Sequence, residues 1–529
     1  MRMIADSLAG KRIAITGSTG FLGTALVERL MRSVPGCELV LLVRPGRRHD
    51  ATARTKREIL RNDCFDRLRS ELGDRFDDEM SRRITAVAGD VSTDGLGLSY
   101  ADRATFTSCD IAIHSAATVS FDSPLDAAVE VNLLGASRVA QTLAAEGSTA
   151  HLVAVSTAYV AGARRGDAPE LPLPETPYAT SADWRAEVDA ARRARADADA
   201  ESRQPERLTQ FHKQARSELG AAGAPALAAK TESCRDSWVR ERMVELGRAR
   251  ARSLGWPDAY AYTKALGERA LLEQHGEVPV TIVRPSIIES ALFEPKPGWI
   301  RGFRMAEPVI ISYARGLLRE FPGIPEGTVD VIPVDLVVAA LIAVAARGPL
   351  DEPDVFQVAS GSRNPLKYHR LVNLVQDYFS RNPLYDAHGQ PIVVPEWSFP
   401  GRGRVQSQLE RATKLLKTGE KIMAALPIRG ARAEVAGKLE EQRAQAERAL
   451  SYVELYGAYA ETEAIYRVDR LLALYDSLDA ADQAEFQFDP AVIDWDPFVQ
   501  EIHLPSVLTQ ARVRTTPGKR EGPTRHERG

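Results

Sequence analysis

Cysteine is scarce in this chain. Cys37, Cys64, Cys109 and Cys234 are its four cysteines in 529 residues, and no two of them stand at a metal-binding or redox spacing. Widely separated single cysteines are typical of reduced thiols in a cytoplasmic protein. We therefore expect a cytoplasmic location, no disulfide framework and no metal site.

Long apolar runs and an excess of positive charge are also missing. The longest uncharged apolar run, 336–346, is far shorter than the roughly 20 residues of a membrane-spanning helix, and the amino-terminal residues lack the apolar core of a signal peptide. We expect a buried helix here and no transmembrane segment, while peripheral contact with lipid is compatible with the sequence. The net charge of −4 argues against a general nucleic-acid-binding protein.

The remaining composition, 44% hydrophobic and 26% charged, is that of a globular protein with more than one domain. Composition shifts predict four segments: a first domain at 1–363, a charged helical insertion inside it at about 184–253, a mostly α-helical domain at 364–505 and a disordered tail at 506–529. The insertion is either a solvent-exposed helical segment or a lid over an active site.

The first strand pattern, which ends at Thr16, is followed at once by a glycine turn and an amphipathic helix. In a dinucleotide-binding turn, the first glycine permits the tight bend, the second lets the backbone approach the pyrophosphate, and the third allows the helix to pack closely. The spacing here is G-x-x-G-x-x-G rather than G-x-G-x-x-G. We predict cofactor contacts from Thr16, Gly17, Ser18, Thr19, Gly20, Phe21, Leu22 and Gly23.

The second predicted strand ends in Arg44, where an NAD site usually has an acidic residue. An arginine here suits the 2′-phosphate of NADP, and Arg54 follows closely. The third predicted strand ends at Asp90 and Val91, where a carboxylate could reach the adenine. The sequence therefore favours NADP over NAD, and a solvated basic loop is the alternative.

Strands and helices alternate as far as residue 160, which predicts an α/β fold with a parallel sheet and right-handed crossovers. Ligands bind at the carboxyl ends of such strands. At these ends we predict cofactor contacts from Ser115, Ala116, Ala117, Pro285, Ser286 and Ile287, and we note the hydroxyls of Ser156 and Thr157. Asn132 is either another cofactor contact or a satisfied core amide, and His114 is expected to be structural.

Tyr260 and Lys264 stand four residues apart and would share one face of a helix. An ammonium beside a phenol lowers the pKa of the tyrosine, so its hydroxyl can pass a proton near neutral pH. Tyr262 would lie on the opposite face of the helix and is excluded from this pair. An exposed amphipathic turn is the alternative interpretation.

Together these motifs resemble the extended short-chain dehydrogenase/reductases. More specific segments are similar to the alcohol-forming fatty acyl-CoA reductases, of a bacterial soluble type, and they are Leu41–Arg44, His114–Asp122, Tyr260–Glu268, Ile282–Ala291, Pro297–Trp299 and Ser360–Pro365. The resemblance covers roughly residues 10 to 505. It implies a Rossmann-like, doubly wound parallel sheet with a helical C-terminal domain.

The resemblance also implies the reduction of long-chain fatty acyl-CoA by NADPH to fatty alcohol, a wax ester precursor, by two hydride transfers through an aldehyde. The family's catalytic hydroxyl maps to the pair Ser156 and Thr157, with Thr157 preferred from its distance to Gly162, and Tyr260 and Lys264 complete the catalytic set. An acyl carrier protein as donor and a homo-oligomer are compatible with the sequence.

Three alternatives stay open. One is a two-electron thioester reductase that releases fatty aldehyde. Another is an extended dehydrogenase or epimerase that acts on a different substrate. The third, from a different functional class, is a non-catalytic NADP-binding regulator, which the joint presence of Thr157, Tyr260 and Lys264 disfavours.

Overall fold

A computed structural model describes residues 3–120, 122–220, 223–302, 306–318, 320, 323–386, 388–399, isolated positions between 407 and 459, 463–513 and 515–516. The chain divides into two compact units. The first unit comprises Met1–Ser286, Val334–Ala359 and Ala464–Asp489, and the second comprises Ile287–Pro333, Ser360–Glu463 and Pro490–Gly529.

This division differs from the predicted boundary at 363. The chain leaves the first unit at 287, returns to it for 334–359, and returns again for 464–489. The first return contributes an apolar helix and a buried strand, which belong to the hydrophobic interior of the first unit. Composition along the chain could not reveal this interleaving, because it depends on which distant segments pair.

The strands, in chain order, are β1 (Arg12–Thr16), β2 (Glu38–Val43), β3 (Ile84–Ala88), β4 (Ile111–His114), β5 (His151–Val155), β6 (Arg165–Ala168), β7 (Val280–Pro285), β8 (Ile287–Glu289), β9 (Thr328–Val329), β10 (Val331–Pro333), β11 (Asp354–Val358), β12 (Leu366–Lys367) and β13 (Glu463–Tyr466). The first unit is built on a seven-stranded sheet with the order β11-β7-β5-β4-β1-β2-β3. All neighbouring strands in it are parallel.

Among the described residues, the α-helices are, in chain order, α1 (Met3–Leu8), α2 (Phe21–Ser33), α3 (Ala51–Arg54), α4 (Asp66–Leu72), α5 (Phe76–Arg83), α6 (Tyr100–Thr107), α7 (Leu125–Ala128), α8 (Leu134–Ala145), α9 (Trp184–Ser202), α10 (Pro205–Leu219), α11 (Ala224–Ser253), α12 (Ala259–Gln274), α13 (Ala306–Ala314), α14 (Val334–Arg347), α15 (Tyr368–Arg381), α16 (Asp469–Asp476), α17 (Ala480–Glu485), α18 (Trp495–Pro497) and α19 (Leu504–Ala511). A π-helical turn, Val129–Leu133, joins α7 to α8.

Apolar side chains on the strands pack against the crossover helices. Ala14, Leu152 and Ile282 on the strands share one buried cluster with Val139 and Leu143 of α8. Helices cover a parallel sheet because its strands bury both faces. The α/β fold with a parallel sheet, predicted from the alternation of strands and helices, is confirmed, and so is the doubly wound arrangement that the resemblance implied.

The order of the strands reverses beside β1. The chain moves outward from β1 to β2 and β3, and then crosses back to β4 on the other side of β1. In the register of this pair, Thr16 lies opposite His114. A crevice forms at the carboxyl ends of the strands at such a switch point, and it is the usual ligand site of an open parallel sheet.

The charged segment at 184–253 forms the three helices α9, α10 and α11, as its composition predicted. A small apolar cluster of Phe211, Ala215 and Cys234 lies between α10 and α11. The segment is joined to α12, because Trp184 donates from its indole N–H to Glu273 at 2.9 Å. The insertion is therefore attached to the helix that carries Tyr260.

The apolar run at 336–346 lies within α14, which is buried from Val334 to Ala345. The prediction of a buried helix is confirmed. In the part of the chain that the structure describes, no helix combines the length and the apolar character needed to cross a bilayer.

In the second unit, β8 pairs with β10 and β9 pairs with β12. The carboxylate of Asp330 accepts hydrogen bonds from the backbone N–H groups of Ser360 at 2.8 Å and Gly361 at 3.0 Å. The buried indole of Trp495 donates to the Asn364 side chain at 3.0 Å. These bonds join segments of the second unit that are far apart in sequence.

The prediction of disorder from residue 506 was wrong for 506–511. This stretch belongs to α19, in which Leu504, Val507 and Leu508 are buried at helical spacing, so it has an apolar face to bury despite the polar residues that follow it. From 517 onward the predicted tail lies outside the described residues. Most of the helical pattern at 406–478 also lies outside them, and 463–466 of that pattern is the strand β13.

Candidate active site

The glycine turn after β1 fits against the end of β4. Gly17 has a φ of +77°, and a Cβ atom there would lie 2.6 Å from the backbone nitrogen of Ala116. A Cβ at Gly23 would lie 2.2 Å from the Gly17 carbonyl oxygen. Neither position has room for a side chain. A Cβ at Gly20 would meet only the Gly17 carbonyl among the described residues, at 3.1 Å, so the other side of Gly20 is open for a ligand to approach.

Two hydrogen bonds of the buried Thr16 hydroxyl join the end of β1 to the end of β4 and the residues after it. The hydroxyl of Thr16 accepts from the Ala116 N–H at 3.2 Å and contacts Nδ1 of His114 at 2.8 Å. Burial, assisted by the charge of Lys264, lowers the pKa of His114 to about 3. A neutral His114 can accept at Nδ1 from the Thr16 hydroxyl. His114 is therefore structural, as predicted, and it positions the backbone that surrounds Gly17.

The amino end of α2 has no side-chain cap. Gly20 is its N-cap residue and has no side chain that could accept a hydrogen bond from the first turn. The first N–H groups of a 13-residue helix, together with its dipole, favour an anion at this end. This is the position at which the sequence predicted a pyrophosphate.

Three buried hydroxyls at the carboxyl edge of the sheet have no hydrogen-bond partner among the described residues. They belong to Ser18 in the glycine turn, Ser156 after β5 and Ser286 after β7, and these residues are 0%, 7% and 6% exposed. Buried polar atoms are nearly always paired, so each such group calls for an explanation. A polar ligand along this edge would supply the missing partners, and in this respect the residues present fit a dinucleotide.

Arg44 and Asp90 follow the adjacent strands β2 and β3 and lie close together. Their side chains are 69% and 27% exposed, and the guanidinium is 3.7 Å from the carboxylate. Arg54 is bound differently, because Glu58 holds its guanidinium at 2.7 and 3.0 Å while its Nη1 donates to the Arg44 carbonyl. Arg54 therefore supports the Arg44 segment, and only Arg44 of the two has a largely exposed guanidinium. Val91, after Asp90, is buried.

Asn132 binds the loop that follows β4. Its side-chain oxygen accepts from the Thr118 N–H at 2.9 Å, and its side-chain nitrogen donates to the Thr118 carbonyl at 2.9 Å. This is the satisfied core amide that the sequence left as an alternative. The amide holds the segment that continues from Ser115, Ala116 and Ala117.

Thr157 is the N-cap residue of the short helical turn Ala158–Ala161, which follows β5. Its hydroxyl accepts from the Tyr159 N–H at 3.3 Å and donates to the Pro285 carbonyl at 3.4 Å. Both distances are long for hydrogen bonds. Thr157 is 4% exposed, so its hydroxyl is buried but weakly held, and it can exchange these partners for a ligand oxygen.

Tyr260 and Lys264 lie one turn apart on α12, as predicted. Asp258 caps this helix by accepting from the Ala261 N–H at 2.9 Å. The ammonium of Lys264 donates to the Val155 carbonyl at 2.9 Å, which places it at the end of β5 beside Ser156. Lys264 is 5% exposed; burial lowers its pKa to about 8, and the charge of Glu268 raises it. Tyr260 is partly exposed.

The start of α12 is joined to the loop that contains Thr157. The indole N–H of Trp256 donates to the Val160 carbonyl at 3.0 Å, and the Ala163 N–H donates to the Gly255 carbonyl at 2.9 Å. These bonds bring together two segments about 100 residues apart in sequence. They explain how the three-helix insertion can separate Thr157 from Tyr260 without separating them in the fold.

Tyr262 points away from Lys264, as its position on the helix predicted. Its hydroxyl donates to Glu187 of α9, and Arg250 of α11 also binds that carboxylate. Burial and the neighbouring Glu187 raise the pKa of Tyr262. A tyrosine with a raised pKa beside a carboxylate is unsuited to proton transfer, so Tyr262 serves to join the insertion to α12.

Most of the predicted site residues thus meet at one edge of the first unit. The glycine turn, the end of β4, the turn after β5, Lys264 and the end of β7 all lie there. Ile287 is the first residue of the second unit, and Arg54 and Asn132 are engaged by other protein groups.

Comparison with known proteins places the chain in a family. Residues 15–341, more than half of the chain, match the NAD-binding family described as male sterility protein. The alcohol-forming fatty acyl-CoA reductase of Simmondsia chinensis is 30% identical over 96% of this chain and 98% of its own length. The chain belongs to the fatty acyl-CoA reductase family. Fatty acyl-CoA reductase 1 of Arabidopsis thaliana is 29% identical over 95% of this chain and 97% of its own length.

Solved structures agree with this fold. The terminal reductase domain of the myxalamid pathway matches with a TM-score of 0.56 over 96% of this chain and 92% of its own, at 15% identity. At this identity the likeness supports the extended short-chain dehydrogenase/reductase fold alone. Membership of the fatty acyl-CoA reductase family makes the chain an oxidoreductase with a nicotinamide-cofactor domain.

Sequence reasoning missed one buried group beside the candidate catalytic residues. Glu268 lies one turn after Lys264 on α12, and Arg284 of β7 binds it with two hydrogen bonds. The spacing of Tyr260, Lys264 and Glu268 at successive helical turns was a signal in the sequence. Its partner on β7 could be found only in the folded chain.

Proposed function

We propose that this protein reduces long-chain fatty acyl-CoA to fatty alcohol with NADPH, through a fatty aldehyde. The observation that carries the proposal is the buried ammonium of Lys264 at the end of β5, one helical turn from Tyr260 and beside the hydroxyls of Ser156 and Thr157. The full-length match to a reductase named as alcohol-forming supports the choice of substrate and product.

The cofactor would be held by the glycine turn, the amino end of α2 and the backbone after β4. NADPH, when bound, supplies the hydride for each reduction. The exposed guanidinium of Arg44 favours the 2′-phosphate of NADPH over the free hydroxyl of NADH, because a guanidinium forms charge-assisted hydrogen bonds with phosphate oxygens.

In the first half-reaction, the hydroxyls of Thr157 and Tyr260 bind the thioester oxygen. As the carbonyl carbon is reduced, Tyr260 gives its proton to that oxygen, and the ammonium of Lys264 stabilises the phenolate that remains. The resulting hemithioacetal loses its carbon–sulfur bond, the CoA thiol leaves, and an aldehyde is formed. Ser156, whose hydroxyl has no hydrogen-bond partner within the described part of the chain, is a second candidate to bind the same oxygen.

In the second half-reaction the same groups act on the aldehyde. Tyr260, which is partly exposed and regains a proton from solvent after the first half-reaction, protonates the aldehyde oxygen as the carbonyl carbon is reduced, and the product is a primary alcohol. Two NADPH are oxidised for each thiol released. A two-electron thioester reductase would use the same residues and stop at the aldehyde, so the stoichiometry separates the two functions.

The test uses purified full-length protein with palmitoyl-CoA and excess NADPH. The oxidised NADPH and the released thiol are measured, and the lipid is identified by mass spectrometry. We expect two NADPH per thiol and hexadecanol. One NADPH per thiol with free hexadecanal would assign the chain to the two-electron reductases, and no thiol release with intact NADPH binding would refute an acyl-CoA substrate.

A further inference from the structure

A buried ion pair lies directly beyond Lys264. Arg284 donates from Nε and Nη2 to the two carboxylate oxygens of Glu268, at 2.9 and 2.6 Å. Arg284 is 0% exposed and Glu268 is 4% exposed. The pair joins α12 to β7, and Glu268 is its member on the helix, one turn from Lys264.

The charges and titratable groups around this pair come from several elements. Tyr260 and Glu268 share the face of α12 that carries Lys264, and His114 faces Lys264 from β4. Arg284 on β7 also faces Glu170 and Tyr178. Burial lowers the pKa of His114 to about 3, so His114 adds no positive charge beside Lys264 near neutral pH.

A contribution to the stability of the fold does not by itself explain this buried ion pair. Removing two charges from water carries a large desolvation cost, and well-packed neutral residues often replace a buried ion pair without loss of stability. The geometry of this pair is good, with two parallel hydrogen bonds. Nη1 of Arg284 nevertheless has no hydrogen-bond partner among the described residues, so the pair is not fully satisfied. Its position relative to Lys264 suggests a different use.

Lys264 is a buried cation whose contacts do not neutralise it. Its ammonium donates to a backbone carbonyl, that of Val155, and burial opposes its charge. The carboxylate of Glu268, four residues further along the helix, lies on the same face and favours the charged ammonium. Arg284 holds that carboxylate in place with its two hydrogen bonds.

We propose that Glu268 is a positioning residue for the Tyr260–Lys264 pair: its carboxylate, held by Arg284, keeps the buried Lys264 ammonium charged while Tyr260 transfers its proton. This inference rests on the roles proposed above for Tyr260 and Lys264. Tyr260 and Lys264 form the reactive pair, and Glu268 acts through Lys264 without touching the substrate.

The direction of the effect follows from the charges. Burial lowers the pKa of Lys264 to about 8, and Glu268 raises it against that effect. Without the carboxylate, Lys264 loses its proton at a lower pH. The fraction of enzyme with a charged ammonium near neutral pH then falls, and the alkaline limit of catalysis moves toward lower pH.

The first measurement is the titration of Lys264 itself, in cofactor-free protein labelled with ¹³C-lysine. Lys264→Arg identifies the NMR signal. We compare the wild type, Glu268→Gln and the double variant Glu268→Gln/Arg284→Met, which replaces the pair with neutral groups of similar volume and leaves no unpaired buried charge. Glu273→Gln is the matched control, because it removes a carboxylate from the same helix more than two turns from Lys264.

We expect Glu268→Gln to lower the titration midpoint of Lys264 by about one pH unit, the double variant to lower it by less, and Glu273→Gln to leave it unchanged. The alkaline limb of kcat/KM for the thioester should move by the same amounts. If Glu268→Gln does not fold, the titration midpoint of Lys264 in the double variant tests the proposal.

A folded double variant with the wild-type midpoint, or an equal shift in Glu273→Gln, would overturn the proposal and leave the pair with a structural role only. The NMR titration needs neither substrate nor cofactor. A wild-type protein that fails to reduce palmitoyl-CoA would therefore refute the proposed function, while the titration would still decide whether Glu268 controls Lys264.

Discussion

The two ends of the candidate cofactor site differ in how deeply their side chains are buried. At the end that would hold the reacting groups, Thr157 and Lys264 are 4% and 5% exposed, and each is bound to the backbone of a strand end. At the end that would hold the adenosine, the Arg44 side chain is 69% exposed and lies 3.7 Å from Asp90. One end is buried and organised in advance, and the other lies in solvent.

This difference follows from what each end has to do. Stabilising charge that develops during a reaction requires fixed groups in a medium of low dielectric constant, where electrostatic interactions are strong. Discriminating between two cofactors requires only a difference in binding free energy. An exposed guanidinium supplies such a difference at little cost to stability, because it loses little hydration. We therefore expect substitutions at the buried end to have the larger effects.

The largest expected effect is that of Tyr260→Phe. Removal of the hydroxyl takes away the proposed proton donor, and general acid catalysis contributes about 10²- to 10⁴-fold. We expect kcat to fall by this factor, while the NADPH dissociation constant, measured by fluorescence titration, stays within about twofold.

The matched control is Tyr262→Phe, which removes a hydroxyl on the opposite face of the same helix, where it binds Glu187. This variant should keep most of its activity. An equal loss of kcat in both variants would show that the hydroxyl of Tyr260 has no special part in the chemistry.

The next effect is expected from Gly17→Ala. The new methyl group would lie 2.6 Å from the end of β4, and the residue would also be held at a positive φ, so the turn must open. We expect NADPH to bind at least about tenfold more weakly, equivalent to about 1.4 kcal/mol. Gly10→Ala is the control, because Gly10 has a similar φ of +69° and nothing within 4 Å of its Cβ position. Equal NADPH affinity in the two variants would contradict the fit of the turn against β4.

The pH dependence tests the buried end without a substitution. Burial lowers the pKa of Lys264 to about 8, so the ammonium is charged below this pH and loses its proton as the pH rises through it. We expect kcat/KM, which reports the free enzyme, to fall on the alkaline side with a midpoint near 8. A constant kcat/KM up to pH 10 would mean that the charge of Lys264 is not needed.

The smallest effect is expected from Arg44→Ala at the exposed end. Loss of a guanidinium–phosphate contact should raise the KM for NADPH about tenfold and leave the KM for NADH unchanged. The effect should shrink at high salt, because exposed charges are screened. Arg48→Ala removes a neighbouring exposed arginine and should change neither value. An equal rise for both cofactors would remove Arg44 from the discrimination.

Local patterns predicted much of the fold and of the candidate site. The alternation of strands and helices indicated the parallel sheet, and the spacing of Tyr260 and Lys264 correctly placed both side chains on one face of α12. The positive φ of Gly17 and the fit of Gly23 against the Gly17 carbonyl were also local matters. Each of these inferences depends on backbone geometry within a few residues, which the order of residue types controls directly.

Other features were decided by tertiary structure. The sequence favoured Arg44 for the 2′-phosphate and added Arg54 as a nearby second contact, but Glu58 and a backbone carbonyl engage Arg54. It left Asn132 undecided, and the fold pairs that amide with Thr118.

What the sequence by itself determined is therefore local: which segments form strands and helices, where the chain needs glycine, and which side chains share a helical face. Only the tertiary structure decided which distant segments meet. It returned 334–359 and 464–489 to the first unit, and it placed Arg284 of β7 against Glu268 of α12. The physical reason is that a buried charge is stable only beside a partner of opposite charge. That partner can come from any part of the folded chain, so the spacing of residues in the sequence does not identify it.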